Sequence, residues 1–146
     1  LFPSQERYAM KWTQDMAVGI ESIDEQHKEL FKRISGLLQA IREHRCKSEI
    51  DDTIKFLDDY ARFHFNEEEK RMHDAGFDGL EDHRKHHAVY LNNIKELKEL
   101  AAQPRIQGMS YELSVTTNQV VVDWIVDHIM QIDRQFGEYV KGQGSG

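Results

Sequence analysis

Two pairs of polar residues occupy positions where a helical protein normally places apolar ones. On the second of four predicted helices, the core-facing residues recur at spacings of three and four, and this series includes His64 and Glu68. The third predicted helix carries His83 and His87, which are also four apart and therefore share one face. Burying such groups is strongly unfavourable unless something compensates, and a metal ion held between the helices would do so.

The first and fourth predicted helices supply further groups of the same kind. His27 lies one turn before the apolar stripe of the first helix, and His128 and Asp133 flank the wide stripe of the fourth. The last two are five residues apart, which is about 140° around an α-helix, so they do not strictly share a face, although both are expected to point inward. Each pair alone is a weak signal. Because all four helices contribute, the complete set favours a metal centre.

The number of candidate ligands predicts two ions. Five imidazoles and two carboxylates exceed the roughly four to six ligands that a single ion takes. If two octahedral ions share both carboxylates and a bridging oxide or hydroxide, one coordination position stays open for a small ligand. Nitrogen and oxygen donors without sulfur suit iron, while manganese, zinc and copper stay open.

The elements that must position these residues are helices. The sequence has only two prolines, and long patterns with a 3.6-residue period predict an all-α protein. Because the connections are short, we expect an antiparallel up-down-up-down four-helix bundle with an irregular N-terminal arm. Ser48, with Asp51 three residues later, resembles a capping box at the start of the second helix, and Gly76 is its expected stop.

The length of 146 residues predicts a single domain, residues 1–146. The domain divides into an arm (1–22), the bundle (23–141) and a flexible tail (142–146). The predicted helices run from about 24 to 44, 49 to 74, 80 to 101 and 110 to 140.

Composition excludes several classes of function. The net charge is −7 with acids and bases interleaved, which argues against binding to nucleic acid. The single cysteine, Cys46, cannot form a CxxC zinc knuckle or a cysteine-ligated iron–sulfur cluster. The absence of a long apolar run and of a signal-peptide pattern predicts a cytoplasmic protein without direct membrane insertion.

These motifs, taken in order, resemble those of the hemerythrins, in particular the bacterial ones. The matching residues are His27, then His64-Phe65-Asn66-Glu67-Glu68, then His83 and His87, then Trp124 to His128 and Asp133. The resemblance covers about residues 12–140. It implies reversible O2 binding at a non-haem centre of two iron ions (Fe2+/Fe3+) with an oxo or hydroxo bridge, held in a four-helix bundle.

The resemblance also implies a role for each residue. His83, His87 and His128 would complete one iron; His27 and His64 would hold the other, which keeps one position open. Glu68 and Asp133 would bridge both ions. The O2 pocket would be lined at five apolar positions, which are Leu30, Phe65, Trp124, Ile125 and Ile129.

Several functions are compatible with such a site. We expect a binding protein for O2 storage or delivery, or an oxygen or redox sensor within a larger signalling protein, as in chemotaxis. The alternative is an enzyme that reduces peroxide or nitric oxide at the same site; it would need an electron donor and a polar group near the pocket. A purely structural metal site is disfavoured by the apolar pocket. Outside the site, Glu67 and Glu69 are expected to lie near the ligands or in solvent, and His86 is expected at the surface.

Overall fold

The fold is described by a computed structural model that covers residues 12–103, 113, 116–117 and 121–144. Helices form all the regular structure of these residues, which confirms the predicted all-α class. They are a short 3-10 helix (Gln14–Met16), α1 (Glu21–Arg42), α2 (Lys47–Asp74), α3 (Leu80–Ala102), α4 (Asp123–Asp127), a π-helical stretch (His128–Asp133) and α5 (Arg134–Gly144). The last three follow one another directly and are together called the fourth helix. Its predicted start near residue 110 lies outside the described residues.

Two helix boundaries differ from the prediction by more than two residues. Helix α1 begins at Glu21 because the Asp24 N–H already bonds to the carbonyl of Ile20 (2.9 Å), and acidic side chains favour a helix N-terminus. Residues 21–22 therefore belong to the helix and not to the arm. Residues 142–144, predicted as flexible tail, continue α5, where the Gln143 amide donates to Tyr139 Oη (2.7 Å).

The prediction for the start of α2 is wrong, and the prediction for its end is confirmed. The predicted capping box does not form: Cys46 is the N-cap residue, and Ser48 lies inside the helix with its Oγ 3.3 Å from Cys46 Sγ. At the other end, Gly76 has φ +68°, a left-handed conformation that glycine adopts without strain and that ends the helix as predicted.

The helices pack around one apolar core that is interrupted by polar residues. Helix α1 packs on α2 and α2 packs on α3. Phe136 of α5 contacts Phe77, with 5.3 Å between ring centroids, and Tyr139 Oη donates to the Ala75 carbonyl (3.0 Å). The seven histidines and carboxylates predicted as ligands are all buried within this core.

The described part of the arm is pinned to two helices. The Val18 N–H donates to Asp24 Oδ1 (2.8 Å) in the first turn of α1. Gly137 of α5 lies so close to the arm that a Cβ there would be 2.0 Å from the Val18 carbonyl oxygen. A glycine at this position is therefore required for the close approach.

None of the helices in the described residues combines the length and the apolar character needed to cross a membrane.

Candidate metal centre

The structure brings all seven predicted ligand residues together in two overlapping groups. Within each group, one nitrogen or oxygen atom per residue lies within 4.8 Å of the others. One group comprises Glu68, His83, His87, His128 and Asp133, and the other comprises His27, His64, Glu68 and Asp133. Glu68 and Asp133 belong to both.

Glu68 points one oxygen at each group. Its Oε1 accepts a hydrogen bond from His83 Nε2 (2.7 Å) and lies 3.1 Å from His87 Nε2. Its Oε2 lies 3.4 Å from His64 Nε2 and 3.9 Å from His27 Nε2. The carboxylate therefore faces both sets of imidazoles at once.

Asp133 divides its oxygens in the same way. Its Oδ1 lies 2.9 Å from the Nε2 atoms of both His83 and His128. Its Oδ2 lies 2.9 Å from His27 Nε2. All five histidines thus direct Nε2 at the two carboxylates. One oxygen of each carboxylate faces the three-histidine side (His83, His87 and His128), and the other faces the two-histidine side (His27 and His64).

The π-helical stretch explains how Asp133 reaches the site. In an α-helix, residues five apart point in different directions. In a π-helix, backbone bonds join residues five apart, so their side chains come closer to one face. The unusual spacing of His128 and Asp133 in the sequence is therefore matched by a local change of helix type.

Two groups outside the cluster orient its imidazoles. The Nδ1–H of His64 donates to Gln26 Oε1 (2.7 Å), and the Nδ1–H of His87 donates to Glu69 Oε2 (2.6 Å). Glu69 is in turn held by Arg84 Nε (3.2 Å). A proton fixed on Nδ1 leaves Nε2 with a lone pair directed at the cluster, which is the arrangement that a metal requires.

These outer partners were the part of the site that sequence reasoning missed or left open. Gln26 immediately precedes His27 but faces His64 on a different helix, so its role depends on tertiary packing. Glu69 follows Glu68 and was expected either near the ligands or in solvent; it is the partner of His87. The sequence offered one signal for both partners, because each is a polar residue directly next to a predicted ligand.

The electrostatics of the cluster favour a cation. Burial and Asp133 tend to raise the pKa of Glu68, but the neighbouring imidazoles of His64, His83 and His87 outweigh them and lower it to about 2. The pKa of Asp133 also lies well below its ordinary value, because its contacts with the histidines outweigh burial. Both carboxylates are therefore ionised at neutral pH.

The histidines differ from one another in their protonation. Burial lowers the pKa of His64 to about 4, so this imidazole is neutral. Burial alone would lower the pKa of His83 too, but its contacts with Asp133 and Glu68 prevail and raise the value to about 9. Neutral His64 is thus ready to bind a metal, while His83 must first lose a proton.

Unpaired polar atoms show that the residues fit a bound metal. Among the described residues, both ring nitrogens of His27 and of His128 and both oxygens of Asp133 are buried without a partner in hydrogen-bond geometry. A buried group of this kind costs about 1–3 kcal/mol. Imidazole nitrogens and carboxylate oxygens are donors that iron and similar transition metals accept, so bound cations would satisfy these atoms.

The five residues predicted to line the O2 pocket lie in the apolar core or pack against it. Leu30, Phe65, Ile125 and Ile129 are buried, and Trp124 is half-buried. Two of the five stack on histidines of the cluster: the ring centroids of Phe65 and His87 are 3.8 Å apart and those of Trp124 and His128 are 4.4 Å apart, both pairs nearly parallel.

The remaining histidines lie outside the cluster. The Nε2 atom of His86 is 3.8 Å from Asp82 on the half-exposed face of α3, at the surface as predicted. His73 is exposed near the end of α2, and His44 is exposed just beyond α1 with φ +55°.

The sequence and the fold were compared with known proteins. Residues 18–140 match the sequence model of the family described as the hemerythrin HHE cation binding domain. Bacteriohemerythrin from Clostridium acetobutylicum is 26% identical over 131 residues, which cover 86% of this chain and 96% of the relative. Myohemerythrin from Theromyzon tessulatum is 25% identical over 126 residues, which cover 86% of this chain and 89% of the relative.

A solved structure has the same fold. The crystal structure of a wild-type hemerythrin matches with a TM-score of 0.74 and 25% identity. The match covers 89% of this chain and 96% of that one.

Proposed function

Because this chain belongs to the hemerythrin family, we propose that it binds O2 reversibly at a non-haem centre of two iron ions. His83, His87 and His128 would hold one ion, and His27 and His64 would hold the other. Glu68 and Asp133 would bridge them. When bound, the two irons supply an open coordination position and two electrons for the O2 ligand.

The observation that carries this proposal is the division of the two carboxylates. Glu68 and Asp133 each direct one oxygen toward the three-histidine side and the other toward the two-histidine side. A single ion would not need this arrangement, whereas two adjacent ions bridged by both carboxylates would. The unequal number of histidines supports an open position on the side of His27 and His64.

The side chains around the cluster would keep binding reversible by excluding water and acids. Leu30, Phe65, Ile125 and Ile129 carry no group that could donate a proton. Outside the seven ligands and Tyr90, the buried polar residues of the described chain are Asp58 and Thr117; Asp58 pairs with Arg62 and Lys98, and Thr117 donates to the Leu113 carbonyl. A dry pocket without an acid favours release of the ligand unchanged over its reduction, so we propose O2 binding and not turnover.

The Tyr90 hydroxyl is compatible with this interpretation. It is buried, and burial together with Asp58 raises its pKa, so it keeps its proton. Its ring packs against Phe65 (5.5 Å) and Trp124 (4.6 Å). We assign Tyr90 to the support of the pocket wall.

For the helices we propose an antiparallel up-down-up-down arrangement. For the biological role we propose O2 storage or delivery, or O2 sensing as part of a signalling protein, in the cytoplasm.

An oxygen electrode and metal analysis together test whether the protein binds O2 at two iron ions. Two irons per chain should take up one O2 per pair and release it under vacuum.

Matched variants test the ligand assignment. His64→Ala and Glu68→Ala should each lose the two-ion loading that metal analysis detects, while His86→Ala, one residue before His87, should retain it. Loss of metal in His86→Ala, or full loading in Glu68→Ala, would overturn the assignment.

A further inference from the structure

We propose that Trp124 is the residue through which an external one-electron donor reduces the iron centre, and that a positively charged face of the donor contacts it at a small surface pocket. The inference rests on the proposed di-iron site. It concerns how oxidised iron regains the ferrous state that O2 binding requires.

A donor in solvent has almost no direct access to the cluster, although His128 lines one surface pocket. All seven candidate ligands are at most 3% exposed. An electron must therefore cross the surrounding shell of side chains, and the route is expected where that shell is thinnest and aromatic.

The contact between Trp124 and His128 meets this requirement. Their rings stack 4.4 Å apart and only 13° from parallel, while His128 Nε2 faces Asp133 within the cluster. Trp124 is only half-buried and lines a surface pocket, so one ring system extends from a candidate ligand to the surface. The other parallel stack in the described chain, Phe65 on His87, is buried and does not reach solvent.

The exposed side of the indole lies in a surface pocket of about 190 Å³. Its lining residues are His86, Trp124, Asp127, His128, Gln131 and Ile132. Asp127 is exposed, and Asp82 is 79% exposed close to His86. Because this rim carries acidic side chains and the whole chain has a charge of −7, it favours a donor with a positive contact face.

The electron count is simple. Each donor molecule loses one electron and reduces one ferric ion to ferrous iron, so two donor molecules are oxidised for each pair of ions. The indole of Trp124 conducts the electron; it forms and breaks no bond and keeps its N–H proton.

Stopped-flow reduction of the oxidised, iron-loaded protein tests both parts of the proposal. The cationic donor is the reduced methyl viologen radical, and the anionic donor is the sulfur dioxide radical from dithionite. Trp124→Leu should slow reduction by both donors severalfold. Asp127→Lys should slow only the viologen reaction and accelerate the anionic one, and added salt should weaken the viologen preference of the wild type.

A matched control separates local charge from net charge. Asp52→Lys makes the same change of charge at an exposed site of α2 and should leave the ratio of the two rates as in the wild type. Equal rates for Trp124→Leu and wild type would overturn the role of Trp124. The same rate ratio in Asp127→Lys and Asp52→Lys would overturn the cationic contact.

A second measurement does not depend on reduction of iron. The chain has two tryptophans, so Trp12→Phe leaves Trp124 as the sole indole. Its fluorescence should be quenched more strongly by oxidised methyl viologen than by iodide, and Asp127→Lys should reverse this order. Stronger quenching by iodide in the Trp12→Phe protein would contradict the acidic contact. Absence of iron from the purified protein would overturn the proposed function, but it would leave this preference intact.

Discussion

His128 Nε2 lies 2.9 Å from Asp133 Oδ1, although five residues separate them along the fourth helix. The π-helical stretch between them makes this contact possible, because regular α-helical geometry would turn the two side chains well apart. π-Helical turns are rare overall, and those that occur are often found at functional sites. The π-helical stretch thus places the Asp133 carboxylate within reach of His128.

This relationship predicts that a carboxylate at position 132 cannot replace that of Asp133 in binding metal. Asp133→Ala should reduce metal loading below two ions per chain, because the cluster loses one of its two shared carboxylates. Adding Ile132→Asp, which places a carboxylate four residues after His128, should not restore it, since Ile132 lines the surface pocket on the outer side. Metal analysis of the single and double variants measures this, and two ions in the double variant would refute the role of the π-helical stretch.

The hydrogen bond from His87 to Glu69 predicts an effect on metal affinity. Partners that hold the second nitrogen of a ligand histidine typically contribute about 10–100-fold in affinity. Glu69→Ala should weaken iron binding by roughly this factor, because His87 loses the acceptor that fixes its proton on Nδ1. Competition with a chelator of known affinity provides the measurement. Glu67→Ala, two residues earlier on α2, is the control, and an equal effect there would contradict the assignment.

The close approach of the arm to α5 predicts opposite effects of two glycine substitutions. In Gly137→Ala the new methyl group would collide with the Val18 carbonyl, and overpacking of this kind costs about 1–3 kcal/mol. Gly36→Ala, at an open and exposed position of α1, should instead stabilise the protein by about 0.5–1 kcal/mol. Urea denaturation gives both values. A Gly137→Ala protein as stable as the wild type would mean that the arm does not lie against α5.

The raised pKa of His83 predicts a pH dependence that metal should abolish. With the metal removed by a chelator, the protonated imidazole is stabilised by Asp133 and Glu68. This contribution is fully present below the ordinary pKa of 6.5 and is lost as the pH rises through about 9. The thermal midpoint of the metal-free protein should therefore fall over this interval. In the iron-loaded protein His83 is already deprotonated, so a similar fall in both forms would count against His83 as a ligand.

Four of the seven cluster residues were predictable because they interrupt a local pattern, and the other three because they adjoin an apolar stripe. His64 and Glu68 interrupt a regular apolar series, and His83 and His87 repeat that interruption on the next helix. Periodicity is a property of the sequence alone, so it identified the helices and the polar positions that face the core.

Other features depend on contacts between distant residues and could not be predicted. The partner of His64 is Gln26, 38 residues earlier, and the position of Gln26 next to His27 does not indicate which imidazole it contacts. The π-helical stretch was also missed, since the sequence was interpreted with α-helical geometry throughout. The predicted capping box failed because Cys46, and not Ser48, is the N-cap residue of α2.

The central claim is reversible O2 binding, and an absorption spectrum tests it most directly. The iron-loaded protein is reduced without air, exposed to O2 and then returned to an O2-free atmosphere. The account predicts a ligand-to-iron charge-transfer band in the near-ultraviolet and visible range that develops with O2 and disappears when O2 is removed. A spectrum that changes once with O2 and does not return would contradict reversible binding.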